Sequence, residues 1–261
     1  MVITLGDRTR AVSSRLTMKV YAESREPRKP MSLLQHAKQT RRVLTNAFKN
    51  NYGRRMPYSA FVDRLNRQPL LDNFKHRHAD VPAFATREQM WSFIAERCVG
   101  AVDYLEFGVH RGHSILYFAG QNRSPESRFF GFDCFTGLPE DWDSDYPRGH
   151  FDTGGRVPQT RDSRVQFVAG MFQDTLPGFV ARFKPRNRIV VNIDCDLYSS
   201  ALYCLTKLDP LLPTGTILMF DEFGSVLHEF RAVEDYLSSY RRAFKVVCSH
   251  DNFFTVAGEL L

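Results

Sequence analysis

From residue 86 onward the apolar positions of this chain follow two alternating rhythms. Short unbroken apolar or β-branched runs at residues 101–106, 128–133, 164–169, 188–194 and 216–221 read as strands. Between them apolar residues recur every three to four positions, at Ile115 to Ala119 and across residues 175–183, 198–212 and 226–240, and these read as helices. A further helix is expected before the first strand, with Thr86 as its N-cap and Met90, Trp91, Ile94 and Ala95 as its stripe. The run Ile189, Val190, Val191 is apolar without alternation, as in a parallel sheet buried on both faces. Residues 244–248 and 253–257 flank a polar turn at Asp251 and Asn252, so they are expected to pair as an antiparallel hairpin. The pattern predicts an α/β fold: a doubly wound, Rossmann-like sheet, mostly parallel, closed by a reversed edge strand.

In front of this pattern the rhythm is weaker. Residues 1–30 have no sustained period, and residues 32–50 carry an approximate helical stripe with Arg and Lys between its apolar positions. The division expected is a basic, partly helical N-terminal segment, residues 1–83, serving as cap, oligomer contact or acceptor-binding part, and a ligand-binding domain, residues 84–261. Charge marks the same division. Residues 1–80 hold 17 Lys and Arg against 6 Asp and Glu, a net +11, and the rest of the chain nets −5. A solvated helix face packed on the main domain or on a second subunit accounts for such a segment better than nucleic acid does, because no nucleic-acid-binding motif accompanies it. A homodimer would suit the arrangement.

No apolar run approaches the roughly 20 residues of a membrane span, and Met1 to Tyr21 lacks the compact apolar core of a secretory signal. The five cysteines are odd in number and form no Cys-x-x-Cys pair. They argue for reduced thiols in a cytoplasm, and against a zinc site or a disulfide framework.

The candidate chemistry gathers at the strand ends. Asp103 to Ser114 reads strand, tight turn and helix start, with Gly108 and Gly112 letting the backbone pass close to a ligand. Acids then close the strands: Glu106, Asp133, Asp194, Asp196, Asp221 and Glu222. Ligands of open α/β sheets sit outside those carboxyl ends, so the acids are expected to face one crevice. Asp133, about 25 residues beyond the glycine turn, is placed to accept hydrogen bonds from ribose hydroxyls. Asp194, Asp221 and Glu222 leave neighbouring strands and can reach one hard cation. Without a counter-ion they would repel, and no lysine lies among the strand ends. An oxygen-only donor set favours Mg²⁺, Mn²⁺ or Ca²⁺ over zinc.

Four blocks then occur in order: Leu-Glu-Phe-Gly-Val-His-Arg-Gly-His-Ser from Leu105, Gly-Phe-Asp-Cys-Phe-Thr-Gly-Leu-Pro from Gly131, Asn-Ile-Asp-Cys-Asp-Leu-Tyr-Ser-Ser from Asn192, and Phe-Asp-Glu-Phe from Phe220. Together they resemble the class I S-adenosylmethionine methyltransferases, and more closely the metal-dependent sugar O-methyltransferases typified by macrocin O-methyltransferase. The resemblance covers roughly residues 84–258. It implies S-adenosylmethionine and Mg²⁺ (or Mn²⁺ or Ca²⁺) as cofactors and a sugar or polyol-containing small molecule or glycoconjugate as acceptor. By the same resemblance Glu106, Gly108 and Ser114 would line the methionine end of the cofactor, with Gly112 among the cofactor-binding residues. Asp133 would hold the ribose, and Gly170, Met171 and Phe172 would lie near the adenine. Asp194, Asp221 and Glu222 would bind the cation, and Asp194 and Asp196 would be the catalytic pair, Asp196 as base. The family pattern has paired aspartates where this chain has Asp221-Glu222.

Residues 141–160, with Trp142, Tyr146, His150 and Phe151, are expected to be a lid over the acceptor, His150 being a second candidate base. Two other readings are open at the level of sequence. One is an NAD-dependent dehydrogenase, weakened by the lack of a third closely spaced glycine. The other is a catalytically silent methyltransferase-like binding module.

Overall fold

The computed structural model describes residues 57–143 and 145–261. The stripe expected over residues 32–50 and the arm before it lie outside the described residues. One eight-stranded sheet runs through the fold: β1 (Ala83–Phe84), β2 (Val102–Phe107), β3 (Arg128–Asp133), β4 (Val165–Ala169), β5 (Arg188–Ile193), β6 (Ile217–Phe220), β7 (Phe244–His250) and β8 (Thr255–Leu260). Their spatial order is β1-β7-β8-β6-β5-β2-β3-β4. Strands β2 to β6 pair in parallel, and β8 runs antiparallel to both β6 and β7. The doubly wound sheet with a reversed hairpin is therefore present as the pattern predicts. The two-residue β1, parallel to β7, was not legible.

Among the described residues six α-helices flank the sheet: α1 (Tyr58–Arg77), α2 (Arg87–Arg97), α3 (His113–Gln121), α4 (Phe172–Arg182), α5 (Tyr198–Leu208) and α6 (Glu229–Tyr240). Successive side chains of a strand face opposite sides, and each side here has its own apolar core. On one, Leu105, Phe107, Val191, Ile193, Leu218 and Phe220 pack with α1, α4, α5 and α6. On the other, Tyr104, Val190, Ile217 and Met219 pack with α2 and α3. Helix α1 joins the first core through Leu71 and Phe74, whose ring lies 4.8 Å from Phe223 and 6.2 Å from Phe253. The central strand β2 is buried along its whole length, yet it contains Asp103 and Glu106.

Asp103 has a structural role. Its carboxylate takes a two-pronged hydrogen bond from Arg128 (2.8 and 2.6 Å) and further ones from the Arg186 N–H (2.7 Å) and Asn187 Nδ2 (3.0 Å). Such pairing is what makes a buried acid tolerable. Helix α2 starts as the sequence indicates. Thr86 accepts from the Gln89 N–H while the Gln89 side chain accepts from the Thr86 N–H, a capping box. No helix among the described residues is long and apolar enough to cross a membrane.

Candidate active site

The strand order reverses between β2 and β5, and the residue after each strand end continues the backbone ladder across this switch. Gly108 N–H donates to Phe132 C=O (3.0 Å), Asp194 N–H to Phe107 C=O (2.9 Å), Asp221 N–H to Ile193 C=O (3.0 Å) and Gly170 N–H to Asp133 C=O (2.9 Å). These bonds align the strand ends along one edge. Above them opens a cavity of about 330 Å³ whose wall includes Gly108, Ser114, Asp133, Gly170, Met171, Phe172, Asp194, Asp196, Asp221 and Glu222. Ten of the twelve residues singled out from sequence thus meet at one wall. Glu106 and Gly112 are not part of it.

Gly108 has φ +91°, and a Cβ there would lie 1.6 Å from the Asp194 carbonyl oxygen. The glycine turn and the acid cluster are therefore packed backbone to backbone. Asp133 ties down the same turn: its Oδ2 accepts from the Val109 and His110 N–H groups (both 2.8 Å), and its Oδ1 from the Phe135 N–H (2.7 Å). Gly112 is the left-handed N-cap of α3 and packs under Pro158, whose Cβ a methyl group would approach to 3.1 Å.

Glu106 is fully buried beneath the cavity floor. Its Oε2 accepts from Tyr104 OH (2.6 Å) and Asn192 Nδ2 (3.2 Å). Burial pushes its carboxyl up to about 7, against the hydrogen bonds from Tyr104 and Asn192. Because the folded state holds this proton more tightly than the unfolded chain, with its ordinary value of 4.5, stability is greatest below that value. It falls as pH rises through about 7. Glu106→Gln is expected to remove a fall of order 3 kcal/mol, upper bound, at 1.36 kcal/mol per unit. Thermal melts between about pH 5 and about pH 8 should show a flatter profile for the variant; an equally steep one would assign the slope to other groups.

At the other end of the cavity the ligand atoms of Asp194, Asp221 and Glu222 lie within 4.8 Å of one another. Glu222 Oε2 is buried with no hydrogen-bond partner, as a donor atom aimed at a cation would be. Burial raises Asp194 well above the usual carboxylate range, and repulsion from Asp221 and Asp196 adds to it. Glu222 is raised likewise by burial and then by Asp194 and Glu229. An oxygen-only trio with an orphaned atom fits a hard divalent cation. Asp196, beside it, is buried, sits at φ +61° and is pushed up to about 7 by burial, then by Asp221 and Asp133.

Two residues of this cluster were not legible in the sequence. Glu229, at the first turn of α6, is fully buried, and its Oε2 accepts the Glu222 N–H at 2.9 Å. It fixes the backbone of Glu222 from behind. Arg87, at the first turn of α2, forms an ion pair with Asp221 Oδ2. The absence of lysine at the strand ends is thus no absence of a cation, because the counter-charge comes from a helix 134 residues away in sequence. Partial burial opposes the Arg87 charge, and Asp221, then Asp194 and Glu222, outweigh it.

The tract after β3 has no helix or strand among its described residues up to β4, yet it is held in place. Leu138 N–H donates to His150 C=O and Gly149 N–H to Leu138 C=O (both 2.9 Å). Ser199 Oγ donates to Glu140 at 2.5 Å, and the Trp142 ring lies 6.3 Å from that of His228. A line of rings, Trp142, Tyr146, His150, Phe151 and His110, runs along it with neighbouring centroids 4.4–5.8 Å apart. Phe151 reaches the cavity wall; His150 does not.

The chain is similar to several known proteins. A family model described as Macrocin-O-methyltransferase (TylF) matches residues 16–246. An 8-demethyl-8-(2,3-dimethoxy-alpha-L-rhamnosyl)-tetracenomycin-C 4'-O-methyltransferase from Streptomyces olivaceus is 27% identical over 159 residues, 49% of this chain and 58% of the relative. A mycinamicin III 3''-O-methyltransferase from Micromonospora griseorubida is 26% identical over 157 residues, 49% of this chain and 60% of the relative. The chain thus spans about three-fifths of the curated relatives it matches. Among solved structures, the O-methyltransferase NovP superposes with a TM-score of 0.52 at 20% identity, over 66% of this chain and 78% of that one. The calicheamicin methyltransferase CalS11 does so with a TM-score of 0.51 at 23% identity, over 88% and 94%. Both share the fold.

Proposed function

The chain belongs to the macrocin-O-methyltransferase (TylF) family, and from that premise we propose that it moves the methyl group of S-adenosylmethionine to a hydroxyl of a sugar or polyol-containing acceptor, assisted by a divalent cation. The observation that carries the reading is the contact between the two halves of the cavity. The turn at Gly108 rests on the backbone of Asp194, so a ligand seated on the glycine turn lies beside the carboxylate trio. A dinucleotide would find the same turn but would leave Asp194, Asp221 and Glu222 without a task. The dehydrogenase reading has no further support.

S-adenosylmethionine supplies an electrophilic methyl on a sulfonium. Gly108 and Ser114 would border its methionine end, Asp133 its ribose, and Gly170, Met171 and Phe172 its adenine, all of them on the cavity wall. Glu106 acts from beneath, by holding Asn192 in place. A divalent cation held by Asp194, Asp221 and Glu222 would supply Lewis acidity to an acceptor oxygen. Asp196 takes the proton of that hydroxyl. The tract around Trp142 to Phe151 covers the acceptor and excludes water. The sugar as acceptor is supported by the curated relative whose name specifies a dimethoxy-rhamnosyl-tetracenomycin methylation.

Calorimetric titration with S-adenosylhomocysteine, with and without Mg²⁺, tests the reading. Micromolar binding is expected, and Asp133→Ala is expected to abolish it, because three backbone N–H groups lose their acceptor together with any ribose contact. No binding under either condition would sink the methyltransferase reading for this chain. Binding without any response to Mg²⁺ would leave it and remove the cation.

A further inference from the structure

Arg87 stands where helix physics disfavours it. It is the first residue of α2, where the unpaired N–H groups and the macrodipole favour negative charge. Only its neighbour Glu88 meets that preference. The capping box at Thr86 fixes the start of the helix, and Ser249 N–H to Pro82 C=O (3.0 Å) with the β1–β7 pairing fixes the segment before it. The Arg87 side chain is thereby delivered to Asp221, at the end of β6. Asp221 is 5% exposed there and Arg87 44%, so the acid is enclosed and the cation faces the cavity. The guanidinium also lies over the Trp91 indole, its carbon 5.6 Å from the ring centroid. Trp91 lines the cavity as well.

We propose that Arg87 is a built-in counter-ion that occupies the Asp221 corner of the acid cluster when no divalent cation is bound, and yields that corner when one arrives. The inference rests on the reading of Asp194, Asp221 and Glu222 as cation ligands. A divalent ion reaching Asp221 Oδ2 meets a guanidinium already hydrogen-bonded to that atom. Two cations on one carboxylate oxygen repel, and the half-exposed Arg87 is the one free to move. Its departure alters the charge over Trp91. Metal-free protein is thereby spared three unneutralised acids in an enclosed site, and the cost of displacing Arg87 lowers its affinity for the cation. The two occupants are negatively coupled, and the coupling acts equally in both directions.

Two measurements on the full chain test this without turnover. Mn²⁺ binding, followed by the electron paramagnetic resonance of the free ion, should be about tenfold tighter in Arg87→Gln than in the unaltered protein, with Arg87→Lys between them. The sequence has two tryptophans, so Trp142→Phe leaves Trp91 as the only reporter. In that background Mg²⁺ should change the emission of Trp91, and adding Arg87→Gln should remove the change while Mg²⁺ still binds. Because the variant loses an ion pair, its melting temperature without metal should drop, and Mg²⁺ should raise it by more than in the parent. Equal or weaker Mn²⁺ binding by Arg87→Gln would overturn the proposal, as would metal binding that leaves Trp91 emission unaltered. Failure of either protein to take up Mn²⁺ would also overturn it. Retained S-adenosylhomocysteine binding in that case would show that the methyltransferase reading survives and only the cation is lost.

Discussion

Replacing Asp196 by Asn is expected to lower kcat by about 10²–10⁴-fold while leaving S-adenosylhomocysteine affinity unchanged. The choice of Asn follows from the backbone. Residue 196 has φ +61°, a left-handed conformation that Asn tolerates well and Ala does not, so the variant loses the carboxylate without adding strain. Only the carboxylate can accept the proton of an acceptor hydroxyl. The pH profile gives a second test. Burial, then repulsion from Asp221 and Asp133, holds the Asp196 carboxyl up to about 7, so the base is protonated and idle below that value. Activity should rise with pH through that region. A bound divalent cation beside it favours the charged form, so the rise should move to lower pH as Mg²⁺ is increased. An Asp196→Asn enzyme with undiminished kcat would remove Asp196 as base and return attention to His150. A silent binding module would show no turnover for the parent either.

The parts of this fold that the sequence makes legible are those specified locally. Residues 128–133 give a strand over the expected span, because an apolar run between turn signals has few other outcomes. Thr86 announces an N-cap from its place before the apolar stripe, and the structure completes it with Gln89 as a capping box. The acids at the strand ends are legible for a similar reason: a parallel sheet puts the end of each strand on one edge, so sequence position implies a shared wall. What escaped depends on tertiary context. Helix α1 spans 20 residues but carries Pro69 in its interior and many polar residues, so its period is obscured, and it persists through the packing of Leu71 and Phe74 on the core. Strand β1 is two residues long and exists by pairing with β7. Glu229 looks like an ordinary acid at a helix start, and only the fold turns it inward to the Glu222 N–H. Arg87 is the most instructive. Asp221 follows it by 134 positions, so no local pattern could join the two. Its one local signal was a cation at the first turn of a helix, where electrostatics calls for an acid.

Gly108→Ala should have the largest combined effect on stability and binding. Two costs act at one atom. The backbone there has φ +91°, outside the region an L-residue adopts without strain, and the added Cβ would lie 1.6 Å from the Asp194 carbonyl oxygen and 2.6 Å from its carbon. Neither neighbour is the end of a flexible side chain, so relief requires moving the end of β5 or the turn itself. Left-handed strain and overpacking together are expected to cost about 3 kcal/mol or more. The same movement displaces the turn from Asp133, whose bonds to the Val109 and His110 N–H groups depend on the present path. S-adenosylhomocysteine affinity should therefore fall by about a hundredfold or more. Since the collision is with Asp194, the response to Mg²⁺ should weaken too, although residue 108 has no side chain to ligate anything. Gly120→Ala supplies the contrast. It lies inside α3 with nothing within 4 Å of an added Cβ, so it should stabilise the fold by about 0.5–1 kcal/mol and leave both ligands unaffected. Melting curves and titrations on the pair separate a general dislike of bulk from a requirement at one place. If Gly108→Ala binds S-adenosylhomocysteine normally, the turn is not the cofactor's seat. If it loses that ligand but keeps its full Mg²⁺ response, the two halves of the cavity work independently, and the backbone contact between them carries no coupling.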